Sequence, residues 1–281
     1  VRITCQTASL SDATGQRLLA ALLLNSSSSL GFDPLENLQN AGATAGNALG
    51  RGGFSAVYSG EYKNEKCVIK VHRDQAQCIK EAAILQQLRG SLSIPKFLKM
   101  AVPTVVSSPV GEMPDRALYR NKAFLDNLLD ALRSLHARNF VHCDIRPPNI
   151  LCYTNDARVH PLLIDFGSCV REGEDMPFLT PTYAADDILD ALTAPPDAQT
   201  PVKARYTHDL VALARVIIYQ QLPASARRKF LQARPAELKA LWHGLDVASY
   251  TALVTHASAG DIEKMRETYH AWCLSTKFSL I

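Results

Sequence analysis

Hydrophobic and polar positions change their period along this chain, and the change predicts its organisation. From Leu49 the pattern is short and β-prone. Phe54–Tyr58 and Lys66–His72 read as strands separated by the turn-prone Lys63-Asn64-Glu65. Helical spacing then runs over Gln77–Leu88, with Ile79, Ala83, Ile84 and Leu88 on one face. Val102–Ser108 reads as a strand that ends at Pro109, whose missing N–H cannot extend a ladder. Over Ala123–Ala137, Leu125, Leu128, Leu129, Leu132 and Leu135 recur at three- and four-residue steps, which predicts an amphipathic helix. Asn149–Tyr153 and His160–Ile164 read as a hairpin around Thr154–Arg158. From Asp209 the pattern predicts helices over Asp209–Gln220, Ala224–Gln232, Ala236–His243, Ala248–Ala257 and Ile262–Leu274.

Strands first and helices after predict an α+β fold, a β-rich small lobe joined to a larger helical one. Residues 1–47 read as an extension: Ser11 or Asp12 caps a short apolar helix through Leu24, and the Ser26–Ser29 run and small-residue stretch Ala41–Ala48 read as loops. Residues 48–281 then read as one domain, with 48–109 as the small lobe and 110–281 as the large one. There is no internal repeat.

Composition narrows this further. A chain of 281 residues that is 47% hydrophobic and 20% charged is globular, with enough length for two lobes. A net charge of +3 gives no case for a nucleic-acid or membrane partner. Seven cysteines without a Cys-x-x-Cys pair read as reduced thiols in an intracellular compartment. The run Leu18–Leu24 is too short to span a bilayer. The chain opens on Val1, which leaves open a longer, secreted precursor with a lost targeting segment.

Candidate chemistry concentrates in His142-Cys143-Asp144-Ile145-Arg146-Pro147-Pro148-Asn149 and Asp165-Phe166-Gly167. A carboxylate, an amide five residues on and a second carboxylate sixteen beyond that can converge on one nucleoside triphosphate. The first can orient an attacking hydroxyl, and the other two are hard ligands for magnesium. Upstream, Gly50-Arg51-Gly52-Gly53-Phe54-Ser55-Ala56-Val57 lets backbone N–H groups approach phosphate oxygens closely. Alone, those glycines read more readily as a hairpin turn. Cys67-Val68-Ile69-Lys70 changes that, because an ammonium inside an apolar strand needs anions. Glu81, eleven residues later on a helix, offers one and ATP phosphates another; a lysine snorkelling at a strand edge is the plainer alternative.

Taken in order, these motifs resemble the eukaryotic-type protein kinase catalytic domain from about Leu49 to Tyr219, and more loosely the fungal-type and Crinkler-effector kinases. Thr180-Pro181-Thr182-Tyr183-Ala184-Ala185-Asp186-Asp187 resembles that family's Gly-Thr-Pro-x-Tyr-x-Ala-Pro-Glu segment, and Asp209 its aspartate opening the central large-lobe helix. The resemblance implies a bilobal kinase-like fold and an ATP- and magnesium-dependent serine/threonine kinase acting on proteins. It implies phosphate contacts from Gly50, Gly52, Gly53, Ser55 and Lys70, with Glu81 holding the lysine. Val57, Val68 and Leu151 would enclose adenine, and the Ser108 carbonyl and Val110 amide would meet its edge. Asp144 would orient the acceptor, Arg146 neutralise the γ-phosphate, Thr180 bond the catalytic aspartate, and Asn149 and Asp165 hold magnesium. His142 is implied to pack beside Phe166 and Leu85 as a structural residue. The remaining histidines are scattered, Arg227-Arg228-Lys229 reads as a solvated helix face, and Trp242 and Trp272 as core.

Departures qualify the resemblance. Ser55 replaces the third loop glycine, Val68 the usual alanine, Arg146 a lysine, and Cys143 the arginine that receives an activation-segment phosphate. Asp186-Asp187 replaces the Pro-Glu whose glutamate pairs with an arginine, and the sequence does not place that arginine. Two alternatives stay open: a scaffold that keeps the fold without turnover, disfavoured by retention of Lys70, Asp144, Asn149 and Asp165, and a small-molecule phosphotransferase, disfavoured by Thr180–Tyr183.

Overall fold

Two residues of left-handed backbone, Lys63 and Asn64 at φ 51° and 65°, close a two-residue hairpin. They join β2 (Ser55–Tyr62) to β3 (Glu65–His72), with Tyr62 opposite Glu65. Such a turn matches the natural strand twist, and asparagine tolerates the conformation. The structure is a computed structural model that describes residues 42–52, 55–177, 180–195, 197, 200–245 and 248–274. These residues form two compact units, one running to Ala82 and including Phe97–Ser108, the other comprising Ala83–Lys96 and the chain from Pro109.

The first unit is a five-stranded sheet in the order β1-β2-β3-β5-β4, with β1 Ala43–Arg51, β4 Lys96–Ala101 and β5 Thr104–Ser108. Alternation along β3 decides what each face does. Cys67 and Ile69 are fully buried in a core with Ala43 and Val106, and Val71 packs against it. Val68, Lys70 and His72 take the opposite face, where α1 (Gln75–Gln87) supplies Glu81. Gly60 is required in β2, because a Cβ there would lie 2.5 Å from both Ile69 Cδ1 and the Thr44 carbonyl oxygen. β1 corrects the sequence reading: residues 43–48, taken as loop, are strand. β4 was not legible either, and β5 begins at Thr104, two residues after the predicted start.

In the second unit, α2 (Lys122–His136) starts where the Asn121 side chain accepts from Phe124 N at 3.1 Å, and it buries Leu125, Leu128, Leu129, Leu132 and Leu135 as its spacing predicts. Helix α4 (Tyr206–Gln221) is apolar nearly all round and nearly all buried, so other elements cover it on every side. Between them in sequence come β6 (Phe140–Val141), the β7–β8 hairpin (Ile150–Asn155, Arg158–Leu163), β9 (Val170–Arg171) and α3 (Asp186–Thr193). Helices α5 (Ala224–Gln232), α6 (Pro235–His243), α7 (Ala248–Ser258) and α8 (Ile262–Leu274) follow, close to their predicted bounds. Trp242 and Trp272 are buried, as their reading as core requires. The described cysteines are all free thiols, and no described helix is long and apolar enough to cross a membrane.

Candidate active site

Asp209, near the start of α4, organises the loop that carries the catalytic motif. Its carboxylate is 1% exposed and accepts from the backbone N–H groups of His142 at 2.8 Å and Cys143 at 3.0 Å. His136 Nε2 adds a third contact at 2.9 Å. Burial pushes this carboxyl's pKa up, but the hydrogen bond and charge of His136 and the His142 amide outweigh it, and the net shift is downward. Cys143 then takes left-handed backbone at φ 66°, which turns the chain so that Asp144 leaves the loop.

Asp144 is met from three sides. Thr180 Oγ1 donates to Oδ1 at 3.1 Å, while Arg146 Nε and Asn149 Nδ2 donate to Oδ2 at 2.9 and 2.8 Å. Asn149 Nδ2 also donates to the Asp144 carbonyl at 2.9 Å, so the amide nitrogen faces Asp144 and the amide oxygen is turned the other way. Asn149 is fixed through its backbone too, since its carbonyl accepts from Ile164 N at 2.9 Å. That bond ties the catalytic loop to the Asp165-Phe166-Gly167 turn, where Asp165 is held at φ 67° and ψ 71°.

His142 is structural. It is fully buried, its Nδ1 accepts from Asp144 N at 3.3 Å, and its Nε2 lies 3.1 Å from the Ile164 carbonyl. Both ring nitrogens are occupied, and the ring meets Phe166 edge-on with centroids 5.1 Å apart.

The segment from Gly167 to Asp187 is held at both ends of its described part. Gly173–Met176 forms a short ladder with Val202–Ala204: Gly173 N donates to Ala204 O at 2.8 Å, Ala204 N to Glu174 O at 2.8 Å, and Met176 N to Val202 O at 2.9 Å. Asp175 pairs with Lys203 at 2.8 Å across it. At the far end, Trp242 Nε1 donates to the Thr182 carbonyl at 2.9 Å, and Arg215 donates to the Ala184 carbonyl and to Asp186. Asp186, which stands where the family has proline, is thus anchored by Arg215; Asp187, at the family's glutamate position, has an arginine in Arg205 at 3.0 Å. The Arg215 guanidinium is 1% exposed and lies 5.2 Å over the Trp242 ring. His243 reaches Asp186 at 2.6 Å. Burial raises the Asp186 pKa, but hydrogen bonds from Arg215 and His243 outweigh it and leave it below the ordinary value. Asp187 is lowered chiefly by its hydrogen bond from His208, helped by Arg205. Both acids stand in the first turn of α3, where the helix dipole favours them.

In the first unit, Lys70 Nζ lies 2.7 and 3.0 Å from the two carboxylate oxygens of Glu81. Val57 pairs with Lys70 in register, so Val57, Val68 and Lys70 share one sheet face. Gly52 N donates to Ser55 O at 2.8 Å to close the glycine-rich turn, and a Cβ on Gly50 would meet nothing within 4 Å. Gly53 and Phe54 lie outside the described residues. Ser108 is buried, its hydroxyl donating to Glu65 at 2.7 Å. In the second unit, Gly111, next to Val110, packs so tightly on Leu151 that a Cβ would come within 2.9 Å of the Leu151 Cβ.

A family model described as "Protein kinase domain" matches residues 43–202. The chain belongs to the protein kinase domain family. Rat, mouse and human serine/threonine-protein kinase D2 are 31% identical to it over 170 residues, half of this chain and 19% of theirs. Serine/threonine-protein kinase PknA of a Nostoc strain is 26% identical over 229 residues, 69% of this chain and 39% of PknA. The chain thus spans about a fifth of the kinase D2 proteins and about two fifths of PknA. The PK-1 kinase of Cydia pomonella granulovirus has the same fold, with a TM-score of 0.63 over 83% of this chain and 96% of that one at 14% identity. The match begins at Ala43, where β1 begins.

Within this kinase domain, the sequence missed His136, Arg215, Trp242 and His243 as anchoring residues. Arg215 carried a readable signal: it is the lone charge in Leu210–Tyr219, the same anomaly that singled out Lys70.

Proposed function

We propose that this chain is an active ATP-dependent protein kinase that transfers the γ-phosphate to serine and threonine hydroxyls of protein substrates. The observation that carries the reading is the threefold hydrogen bonding of Asp144 by Thr180, Arg146 and Asn149. A carboxylate fixed this way keeps lone pairs for a further donor, and that donor is the acceptor hydroxyl. Asp144 orients the hydroxyl and takes its proton as the oxygen bonds to the γ-phosphorus and the bond to the β-phosphate oxygen breaks. Positioning and charge neutralisation carry most of the rate in this chemistry.

Lys70, held by Glu81, neutralises the α- and β-phosphates, and Arg146 offers a guanidinium to the γ-phosphate. Gly50 and Gly52 bring backbone N–H groups to the phosphates, and Gly53 completes the glycine-rich motif in the sequence. Val57, Val68 and Leu151 match the family's adenine-contacting positions, and Ser108 and Val110 match its adenine-edge positions. Asn149 and Asp165 suit magnesium, since Asn149 spends its amide nitrogen on Asp144 and keeps a hard oxygen for a cation. Magnesium, when bound, supplies neutralisation of phosphate charge. The names of the kinase D2 and PknA relatives support the serine/threonine assignment, as does Thr180 on Asp144.

The test is transfer of labelled phosphate from ATP to generic protein substrates, with Asp144→Asn as control, followed by phosphoamino-acid analysis. Phosphoserine and phosphothreonine are expected. Phosphotyrosine as main product overturns the acceptor assignment; activity only on sugars or amino alcohols points to a small-molecule phosphotransferase. A folded protein with no transfer at all is a scaffold.

A further inference from the structure

Two residues after Lys70, on the same face of β3, stands His72 with a side chain 3% exposed. Its Nε2 lies 3.4 Å from Glu81 Oε2, the oxygen that Lys70 Nζ holds at 2.7 Å. One carboxylate oxygen therefore lies between an ammonium and an imidazole. In the register of the sheet His72 pairs with Ser55, at the end of the glycine-rich turn, and Lys70 pairs with Val57. The same sheet face thus carries the lysine, the imidazole and the strand that leaves the turn.

We propose that His72 is a positioning residue that governs how Glu81 holds Lys70, with a neutral imidazole leaving the carboxylate bidentate on the ammonium and a protonated one drawing Oε2 away. This rests on the kinase reading insofar as Lys70 serves the phosphates. The physical argument is a competition in a dry place. A buried cation needs charge-assisted hydrogen bonds of roughly 2.7–2.9 Å, shorter than the present separation. Closing that gap moves Oε2 toward His72 and leaves Lys70 on Oε1, which lies at 3.0 Å. The lysine loses its planar two-point support, and positioning is what this chemistry depends on.

Among the described residues, charged and titratable groups near His72 come from α1 and β3. Glu81 and Cys78 stand on α1, Lys70 on its own strand, and Arg73 and Asp74 follow it in the chain on the exposed surface. Burial and Glu81 push the Cys78 thiol up to about 11, so it stays neutral through the range in question. The paired positions Ser55 on β2 and Val105, opposite Lys70 on β5, do not titrate there. Imidazole is the side chain whose charge ordinarily changes between about pH 5 and 8.

Two measurements test this. In the first, imidazole NMR of the labelled protein is followed from pH 8 to 5, with His72→Leu identifying the resonances. The His72 ring is expected to titrate, and Glu81→Gln to shift that titration to lower pH by about one unit or more. A ring that stays neutral to pH 5, or ignores Glu81→Gln, overturns the proposal without reference to activity. In the second, kcat/KM for ATP is followed over the same range, each protein normalised to its own value at pH 8. Wild type is expected to lose about tenfold more than His72→Leu by pH 5.5. Coincident acid limbs overturn the proposal. Absence of transfer at every pH sinks the kinase reading instead, and the NMR titration then decides the role of His72 alone.

Discussion

The catalytic loop and the far end of the segment after it solve the same problem with different freedom. Both hold a carboxylate in place, Asp144 in one and Asp186 in the other. Around Asp144 each partner sits where the family puts it, and only Lys-to-Arg at Arg146 departs. Around Asp186, which replaces the family's proline beside the glutamate position, the arginine is Arg215 from α4, backed by His243 from α6. Chemistry at a reacting atom fixes residue type and spacing. An anchor needs only that a carboxylate meet a cation somewhere within reach, so its partner can come from another element.

That contrast predicts the largest effects at the loop. Asp144→Asn is expected to cost roughly 10²–10⁴-fold in phosphoryl transfer, and Asp165→Ala or Lys70→Ala to abolish detectable transfer. Thermal unfolding should stay within a few degrees of wild type for Asp144→Asn and Asp165→Ala, while Lys70→Ala, which leaves the buried Glu81 carboxylate without its ammonium, should unfold at a lower temperature. Near-normal turnover in folded Asp165→Ala protein would end the assignment of that residue.

Arg215→Met should reverse the balance, costing stability first. It strips a buried guanidinium from the Ala184 carbonyl and from Asp186, and we expect about 2–4 kcal/mol, below the full range for breaking a buried pair because Asp186 is partly solvated. Urea unfolding checks this, and an unchanged midpoint would remove Arg215 as the anchor. Asp209 sharpens the comparison through pH. Its folded pKa is lowered, so its contribution is complete above the ordinary carboxylate value of about 4 and is lost as pH falls through the folded value. The stability gap between wild type and Asp209→Asn should therefore be widest near neutrality and narrow below about pH 4. A gap independent of pH contradicts the His136–Asp209 account. The smallest effect is expected from phosphatase treatment, under about twofold, because Cys143 offers no cation to an activation-segment phosphate. A large loss restored by rephosphorylation would show that another cation does that work.

How much was legible follows the same divide. His142–Asn149, Asp165–Gly167 and Thr180 could be read because phosphoryl transfer demands those groups in that order. The helices of the second unit could be read because burial of one face imposes a period. β1 could not: its residues after Ala43 are exposed, so no alternation was required of them, and small residues carry no strand signature. α3, eight residues long, was not read from the sequence, being too short to show a clear period. Arg215 was legible in principle, as a charge in an apolar helix demanding a partner, but which partner is a tertiary fact.

The ladder between Gly173–Met176 and Val202–Ala204 is built from main-chain N–H and carbonyl groups, with Asp175–Lys203 an exposed addition. A main-chain brace offers no hydroxyl to modify and no charge to toggle. Its opening is a thermal fluctuation, so the amides of Gly173, Met176 and Ala204 should exchange with deuterium at the pace of local unfolding. Such a brace holds or releases the segment with the stability of the surrounding fold, independent of any modification of its side chains.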